Sequence, residues 1–204
     1  MPGTVYTRLI DTIAGANRAA PSLQRCWLDV SNAGGAVGLP FLPVSEDAIQ
    51  RGVQRLLDDV AAKSLVVFVA ERDDELLGWV LLRLNASDLT RHWATVERLQ
   101  SRPEHRNEGV GIALMKTVTE HAQTVGLEQL RLTLRGGEHL EAFYSRLGWN
   151  EIGRHSGALR LADGDDRDEV MMARSLPATP ATPVRPRITD GVMDGVTDGV
   201  RPLS

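Results

Sequence analysis

The sequence has a single cysteine, Cys26, among 204 residues. One thiol forms no internal disulfide, so the fold rests on its core, and a reducing compartment is expected. Long apolar runs are missing as well. Nothing reaches the 18 or more consecutive apolar residues that a spanning helix needs. A basic excess is also lacking: 23 Lys and Arg stand against 27 Asp and Glu, for a net charge of -4. That balance leaves no electrostatic footprint for nucleic acid or for an anionic membrane. The opening Met1-Pro2-Gly3-Thr4 has neither the basic nor the apolar part of a secretory signal, and a cytoplasmic location is the expectation. Four of the histidines, at 92, 121, 139 and 155, show no metal-ligand spacing, so no metal is expected, and His105 beside the glycine turn reads as a solvated loop residue or a phosphate contact. No Ser/His/Asp or Cys/His arrangement stands out, and Cys26 reads as a small buried hydrophobe.

What is present is an ordinary core-forming composition, 42% hydrophobic and 25% charged. The expected organisation is one domain over residues 1–176 and a disordered tail over 177–204. The tail holds five of the ten prolines, no aromatic residue and three copies of a four-residue Asp-Gly-Val unit. Too little apolar surface is available there to offset the entropy of ordering it.

Within the domain, Thr4 to Asp11 alternates weakly as a strand. Ser22 to Val30 reads as a helix, followed by a Gly-rich loop over 32–40. Ser45 caps a second helix whose stripe is Ile49, Val53, Leu56, Leu57 and Val60. Leu65 to Ala70 and Leu76 to Leu84 form a hairpin. His92 to Ser101 is a strand with Trp93, Thr95, Glu97 and Leu99 on one face, and Val96 and Arg98 on the other. Val110 to Val125 is a helix turning Ala113, Leu114, Val118 and Val125 inward. Leu127 to Leu134 is a strand, and Glu138 to Leu147 a short helix stopped by Gly148. Trp149 to Leu161 and Glu169 to Ala173 flank an acidic turn, Asp163 to Asp168. The order predicts a mixed α/β (α+β) fold with a mostly antiparallel front half.

The chemistry-bearing segment is His105-Arg106-Asn107-Glu108-Gly109-Val110-Gly111-Ile112-Ala113, between a strand and a helix. Glycines at 109 and 111 permit torsions and close approaches that a β-carbon hinders. Amides at the helix start have no intrahelical acceptor and lie at the positive end of the helix dipole, a setting for a pyrophosphate. An ordinary glycine turn has the same local appearance. A P-loop is excluded by the missing Gly-Lys-Ser/Thr ending. Leu114 and the antiparallel context argue against a dinucleotide fingerprint.

One helix and one strand later comes Ala142-Phe143-Tyr144-Ser145-Arg146-Leu147-Gly148-Trp149. Together, Arg106-x-x-Gly109-x-Gly111 and Tyr144-x-x-x-Gly148-Trp149 resemble the two motifs of the GNAT superfamily of N-acetyltransferases. The closer likeness is to its tabtoxin-resistance type, through the early Gly34-Gly35-Ala36-x-Gly38 loop, the Ala-Phe-Tyr-Ser helix and the late acidic turn. It covers about residues 20–176. The resemblance implies a sheet whose fourth and fifth strands splay apart, with helices on its faces. Acetyl-CoA would lie in the gap as acyl donor. Its pantetheine would bond to backbone around Leu99 and Ser101. Its pyrophosphate would meet Arg106, Asn107 and the amides of Glu108, Gly109, Val110, Gly111, Ile112 and Ala113.

The implied reaction is attack of a small-molecule primary amine on the thioester. The amine would belong to an amino-acid-like toxin, an antibiotic (so a resistance function) or a biosynthetic intermediate. The resemblance casts Tyr144 as the acid that protonates the thiolate and Glu97 as the base. Thr133 and Thr95 depart from the pattern, standing where the tabtoxin-resistance type has carboxylates; neither hydroxyl is a general base at ordinary pH. A noncatalytic acyl-CoA-binding module with this fold is therefore the alternative. Arg135 to His139 replaces the family's usual asparagine-bearing helix start, so no acceptor contacts carry over there. Oligomeric state stays open, a homodimer included.

Overall fold

The computed structural model describes residues 4–35, 43–137 and 140–177. The tail, most of the Gly-rich loop and the residues Glu138 and His139 lie outside the described residues. Seven strands form one sheet: β1 (Tyr6–Ile10), β2 (Leu65–Arg72), β3 (Glu75–Leu84), β4 (Trp93–Ser101), β5 (Gln129–Arg135), β6 (Asn150–Ala162) and β7 (Asp165–Ser175). Their spatial order is β1-β2-β3-β4-β5-β7-β6, and every neighbouring pair is antiparallel except β4 with β5. The helices are α1 (Ile13–Asn32), α2 (Glu46–Ala61), α3 (Val110–Thr124) and α4 (Leu140–Arg146). The expected mixed α/β architecture is thus the observed one. Among the described residues, no helix is long and apolar enough to cross a membrane.

Two apolar clusters flank the sheet, and strand alternation sorts residues between them. Val66, Phe68 and Ala70 of β2 pack with α3 and α4, whereas Leu65, Val67 and Val69 pack with α1 and α2. A strand covered on both faces reads as one continuous apolar run, as β2 does. Asp73 and Asp74 both take positive φ, at 50° and 64°, and close the β2–β3 hairpin in two residues.

Several expectations need correction. α1 begins at Ile13, nine residues before Ser22, with Thr12 accepting from the Gly15 amide at 3.2 Å. Pro21 lies inside it, yet Ala16, Ala19 and Leu23 keep one buried stripe across the proline. Packing against the sheet outweighs the local preference against an interior proline. Val125 is the exposed C-cap of α3, and Met115 and Ala122 face inward in its place. The acidic segment is not a long turn. Only Asp163 and Gly164 turn, and the remaining acids belong to β7, where Asp166 bonds Arg160 at 2.7 and 2.8 Å and Asp168 bonds Arg154 at 3.1 Å. Neutralised cross-strand acids extend a hairpin rather than open it.

The faces of β4 are the correction that matters for function. Leu81 opposes Glu97 and Trp79 opposes Gln100, so β4 carries one residue more than β3 over this stretch. Arg98 has φ of 54°. This is a β-bulge, and it breaks the period of two. Glu97 and Arg98 both turn toward α1 and α2, where each has its contacts. Leu99 returns to the α3 side with Ala94 and Val96.

Candidate active site

β4 and β5 pair only at Trp93–Gln129, Ala94–Leu130 and Thr95–Arg131. Beyond Thr95 and Arg131 both strands continue, to Ser101 and Arg135, without further pairing. The sheet therefore opens in a V whose rims carry unpaired backbone. Leu99 and Ser101 lie on the β4 rim, as the sequence placed them.

The start of α3 stands on the side of this gap that Leu99 faces. Pro103–His105 form a short 3-10 turn after β4, and Arg106 to Gly109 complete the link to the helix. Asn107 and Gly109 have φ of 65° and 85°, with Glu108 between them on the ordinary side. Such alternation makes a backbone concavity lined by N–H groups. Gly109 is the N-cap and offers no side chain, so the helix start has no side-chain cap. Its carbonyl accepts the first helical bond, from the Ala113 amide at 2.9 Å. The amides of Val110, Gly111 and Ile112 are then left for an anion. Arg106, Asn107, Glu108 and Gly109 are all exposed there, whereas Val110 is buried as the helix anchor. Ile112 is exposed and Ala113 half-buried.

Two glycines serve different needs. A β-carbon on Gly109 would meet nothing within 4 Å, so the constraint is its left-handed φ. A β-carbon on Gly111 would lie 3.5 Å from Phe143 Cζ and 3.8 Å from Leu99 Cδ2, which is ordinary contact. Gly78 of β3 is a third, not singled out by the sequence. A β-carbon there would collide with the Gln100 carbonyl and lie 2.9 Å from Val110 Cγ1. It lets the bulged β4 and the first residue of α3 close on the sheet.

Glu108 would oppose an anion, but it is held aside. Arg72 donates to its carboxylate at 3.1 Å, and the same guanidinium lies 3.1 Å from His105 Nδ1. The hydrogen bond to His105, then Arg72, keeps the Glu108 carboxyl below the usual carboxylate range. Glu75, Glu104 and His105 bring ligand atoms within 4.8 Å of one another. The Arg72 guanidinium bonded to that histidine places a cation in the group, so we assign it no metal.

Tyr144 lies on α4, on the same face as α3. Its ring is edge-on to Phe143 and Trp149, with centroids 5.0 and 5.9 Å apart. Phe143 abuts Gly111, so α4 braces the helix start directly. Burial pushes the Tyr144 phenol up to about 12 because the phenolate loses its hydration. It is a neutral donor at any ordinary pH.

Glu97 lies on the opposite face. Its Oε1 accepts from Arg83 Nε at 2.8 Å, and Arg83 also pairs with Asp59 at 3.0 Å. Burial alone would lower the pKa of Arg83; the pairs with Glu97 and Asp59 outweigh it and raise it. The sequence-predicted residues therefore fall into two groups. Gly109, Gly111 and Tyr144 gather on the α3/α4 face with Leu99, while Glu97 faces α1 and α2. The gap between β4 and β5 lies between the two faces. Thr95 and Thr133 also face the α1/α2 side, and Thr133 is exposed.

Residues 40–149 match the profile of the acetyltransferase (GNAT) family. Solved structures with a similar fold include an acetyltransferase of the GNAT family from Streptococcus pneumoniae, 16% identical with a TM-score of 0.68 over 85% of this chain and 100% of that one. The ribosomal-protein-alanine N-acetyltransferase of Brucella melitensis is 18% identical with a TM-score of 0.67, over 84% and 99% of the two chains. The ribosomal-protein-S18-alanine N-acetyltransferase of Escherichia coli is 16% identical with a TM-score of 0.64, over 88% and 98%.

Proposed function

Since this chain belongs to the acetyltransferase (GNAT) family, whose profile spans more than half of it, we propose that it transfers an acetyl group from acetyl-CoA to the primary amine of a small molecule. The observation that carries this reading is the uncapped start of α3 beside the three-pair join of β4 and β5. Residues 1–176 would form the catalytic unit. Likeness to the tabtoxin-resistance type supports an amino-acid-like toxin, an antibiotic or a biosynthetic intermediate as the acceptor.

The residues present suit the donor. The amides of Val110, Gly111 and Ile112 receive its pyrophosphate, Arg106 and Asn107 flank them, and backbone around Leu99 and Ser101 receives the pantetheine. Bound acetyl-CoA supplies an activated acyl carbon with a thiolate leaving group. In the transfer the C–N bond forms, the C–S bond breaks, and the amine loses one proton while the sulfur gains one. Glu97, on the α1/α2 face, takes the proton from the amine. Tyr144, on the α3/α4 face, gives one to the sulfur.

The test is thiol release from acetyl-CoA with a panel of primary amines. Turnover of at least one amine supports the reading. Acetyl-CoA binding without turnover of any amine would leave the noncatalytic acyl-CoA-binding module, which the threonines at 95 and 133 motivate. Failure to bind acetyl-CoA would remove both.

A further inference from the structure

On the α1/α2 face, Arg98 has no hydrogen-bonded carboxylate among the described residues. Beneath α2 lies a cleft of about 220 Å³ lined by Trp27, Arg55, Leu56, Asp59, Arg83 and Arg98, among others. Both nearby acids are already engaged, since Arg83 bonds Glu97 at 2.8 Å and Asp59 at 3.0 Å. Among the described residues, Arg98 has no carboxylate or carbonyl bonded to it. Its contact is with an aromatic face, the guanidinium carbon standing 4.4 Å from the centre of the Trp27 ring.

The setting is unusual for a guanidinium. Arg98 is half-buried, and burial lowers its pKa, with Glu97 opposing this and Arg55 and Arg83 reinforcing it. The group stays protonated, because guanidinium does not lose its proton in proteins. Its backbone has left-handed φ, a conformation that arginine rarely adopts and that a bulge imposes. The bulge directs this side chain to the α1/α2 face; plain alternation would send it among Val96 and Leu99. Its seat over the buried Trp27 indole restrains the guanidinium. A half-buried guanidinium held in place without a bonded carboxylate is a bidentate site for one.

Position ties the fork to the reaction. Arg98 lies three residues beyond Thr95, where β4 and β5 stop pairing, and one residue from Glu97. On the other rim Arg131 repeats the pattern at 4.1 Å from the Trp93 ring, with a neutral partner, Gln129. The α1/α2 face of the V thus carries Arg98 and Arg131, each over a tryptophan ring.

We infer that Arg98, stacked on Trp27 at the β4 bulge, is an anchor for the carboxylate of the acceptor, so that the amine acetylated is that of an amino acid or a similar amino carboxylate. This rests on the acyl-transfer reading for its second half, whereas the carboxylate site itself does not. The carboxylate docks on the Arg98 fork, and the amine of the same molecule extends past Glu97 toward the gap.

The test reads binding without turnover. The arginine Nε–H signals of the full chain are followed by NMR during titration with N-acetyl-L-amino acids, and separately with the matching N-acetyl-L-amino-acid amides, which differ only in the carboxylate. The Arg98 signal, assigned by its disappearance in Arg98→Lys, is expected to shift with the acids. Their affinity is expected to exceed that of the amides at least tenfold, and Arg98→Lys should reduce that preference without abolishing it. An unmoved Arg98 signal, or equal affinity for acids and amides, overturns the site. The wild-type comparison stands even where a variant folds poorly. In parallel, thiol release is measured with amino acids and amino-acid amides as acceptors. A carboxylate-selective Arg98 response with no thiol release from any amine would sink the acyl-transfer reading and leave the site intact. Thiol release that favours amides would sink the site and leave acyl transfer intact.

Discussion

Replacing Tyr144 by phenylalanine isolates one hydroxyl. The ring remains, and with it the edge contacts to Phe143 at 5.0 Å and Trp149 at 5.9 Å, so the core at neutral pH changes little. Loss of a positioned general acid costs 10²–10⁴-fold. The lower end applies here, because a thiolate with an ordinary pKa near 8.5 leaves tolerably unassisted. The expected fall in kcat at pH 7 is about 10²-fold, or ~2.7 kcal/mol of barrier. The pH dependence is more discriminating. With the phenol at about 12, only about 1% is phenolate at pH 10, so the wild-type rate should show no decline near pH 10 from loss of the acid. Stability follows the same shift. A folded pKa above the unfolded value of 10 gives stability that is complete below pH 10 and lost as pH rises through 12. Tyr144→Phe should therefore remove up to roughly 3 kcal/mol of alkaline destabilisation between those limits. Thiol release across pH 7–10 and denaturant unfolding across pH 8–12 measure the two effects. An unchanged kcat at every pH refutes the acid role. A wild-type decline centred at pH 10 that vanishes in the variant refutes the buried, unassisted phenol.

Further outcomes follow from packing and charge. Gly52→Ala should destabilise by about 1–3 kcal/mol despite a helix-propensity gain of about 1, because the β-carbon would stand 2.6 Å from Trp27 Cη2; a raised denaturation midpoint would refute this. Gly109→Ala should cost about 1 kcal/mol through its φ of 85° and weaken acetyl-CoA in calorimetry, whereas Gly111→Ala should leave the melting temperature nearly unchanged. Burial pushes the Cys26 thiol up to about 12 from 9, so it contributes stability that is complete below pH 9 and lost as pH rises toward 12. Cys26→Ala should flatten that loss, by up to about 4 kcal/mol, in unfolding curves measured from pH 8 to 12. Glu97→Gln should lower kcat/KM about 10²-fold or more at pH 7 and less at alkaline pH, where amines arrive unprotonated; equal losses at pH 7 and pH 10 would count against a base.

Most of the fold was legible because its signals are local. Ser45 before an acidic turn starts α2, two aspartates close the β2–β3 hairpin, and Leu130, Leu132 and Leu134 alternate along β5. The glycine turn and the Tyr144 helix were legible as a pair of motifs. The misreadings share one origin, namely contacts distant in sequence. Nothing beside Pro21 shows that α1 runs through it; the sheet beneath decides that. The bulge at Arg98 depends on the partner strand, although an arginine assigned to the same face as Val96 was a visible inconsistency. Trp27, Gly78 and Phe143 entered the site only through packing, since each acts by where a neighbour stands.

The short join of β4 and β5 has a mechanical consequence. Strands β1 to β4 form one plate and β5, β7 and β6 another; their backbones join through three residue pairs and a bond from the Glu128 amide to the His92 carbonyl at 2.8 Å, and one core beneath α3 and α4 spans both. Seven strands of sheet thus share one narrow seam. A molecule lodged along the free part of that seam would act as a splint, replacing ladder bonds missing between the two plates. Filling the gap would then stiffen the sheet, and emptying it would return that freedom.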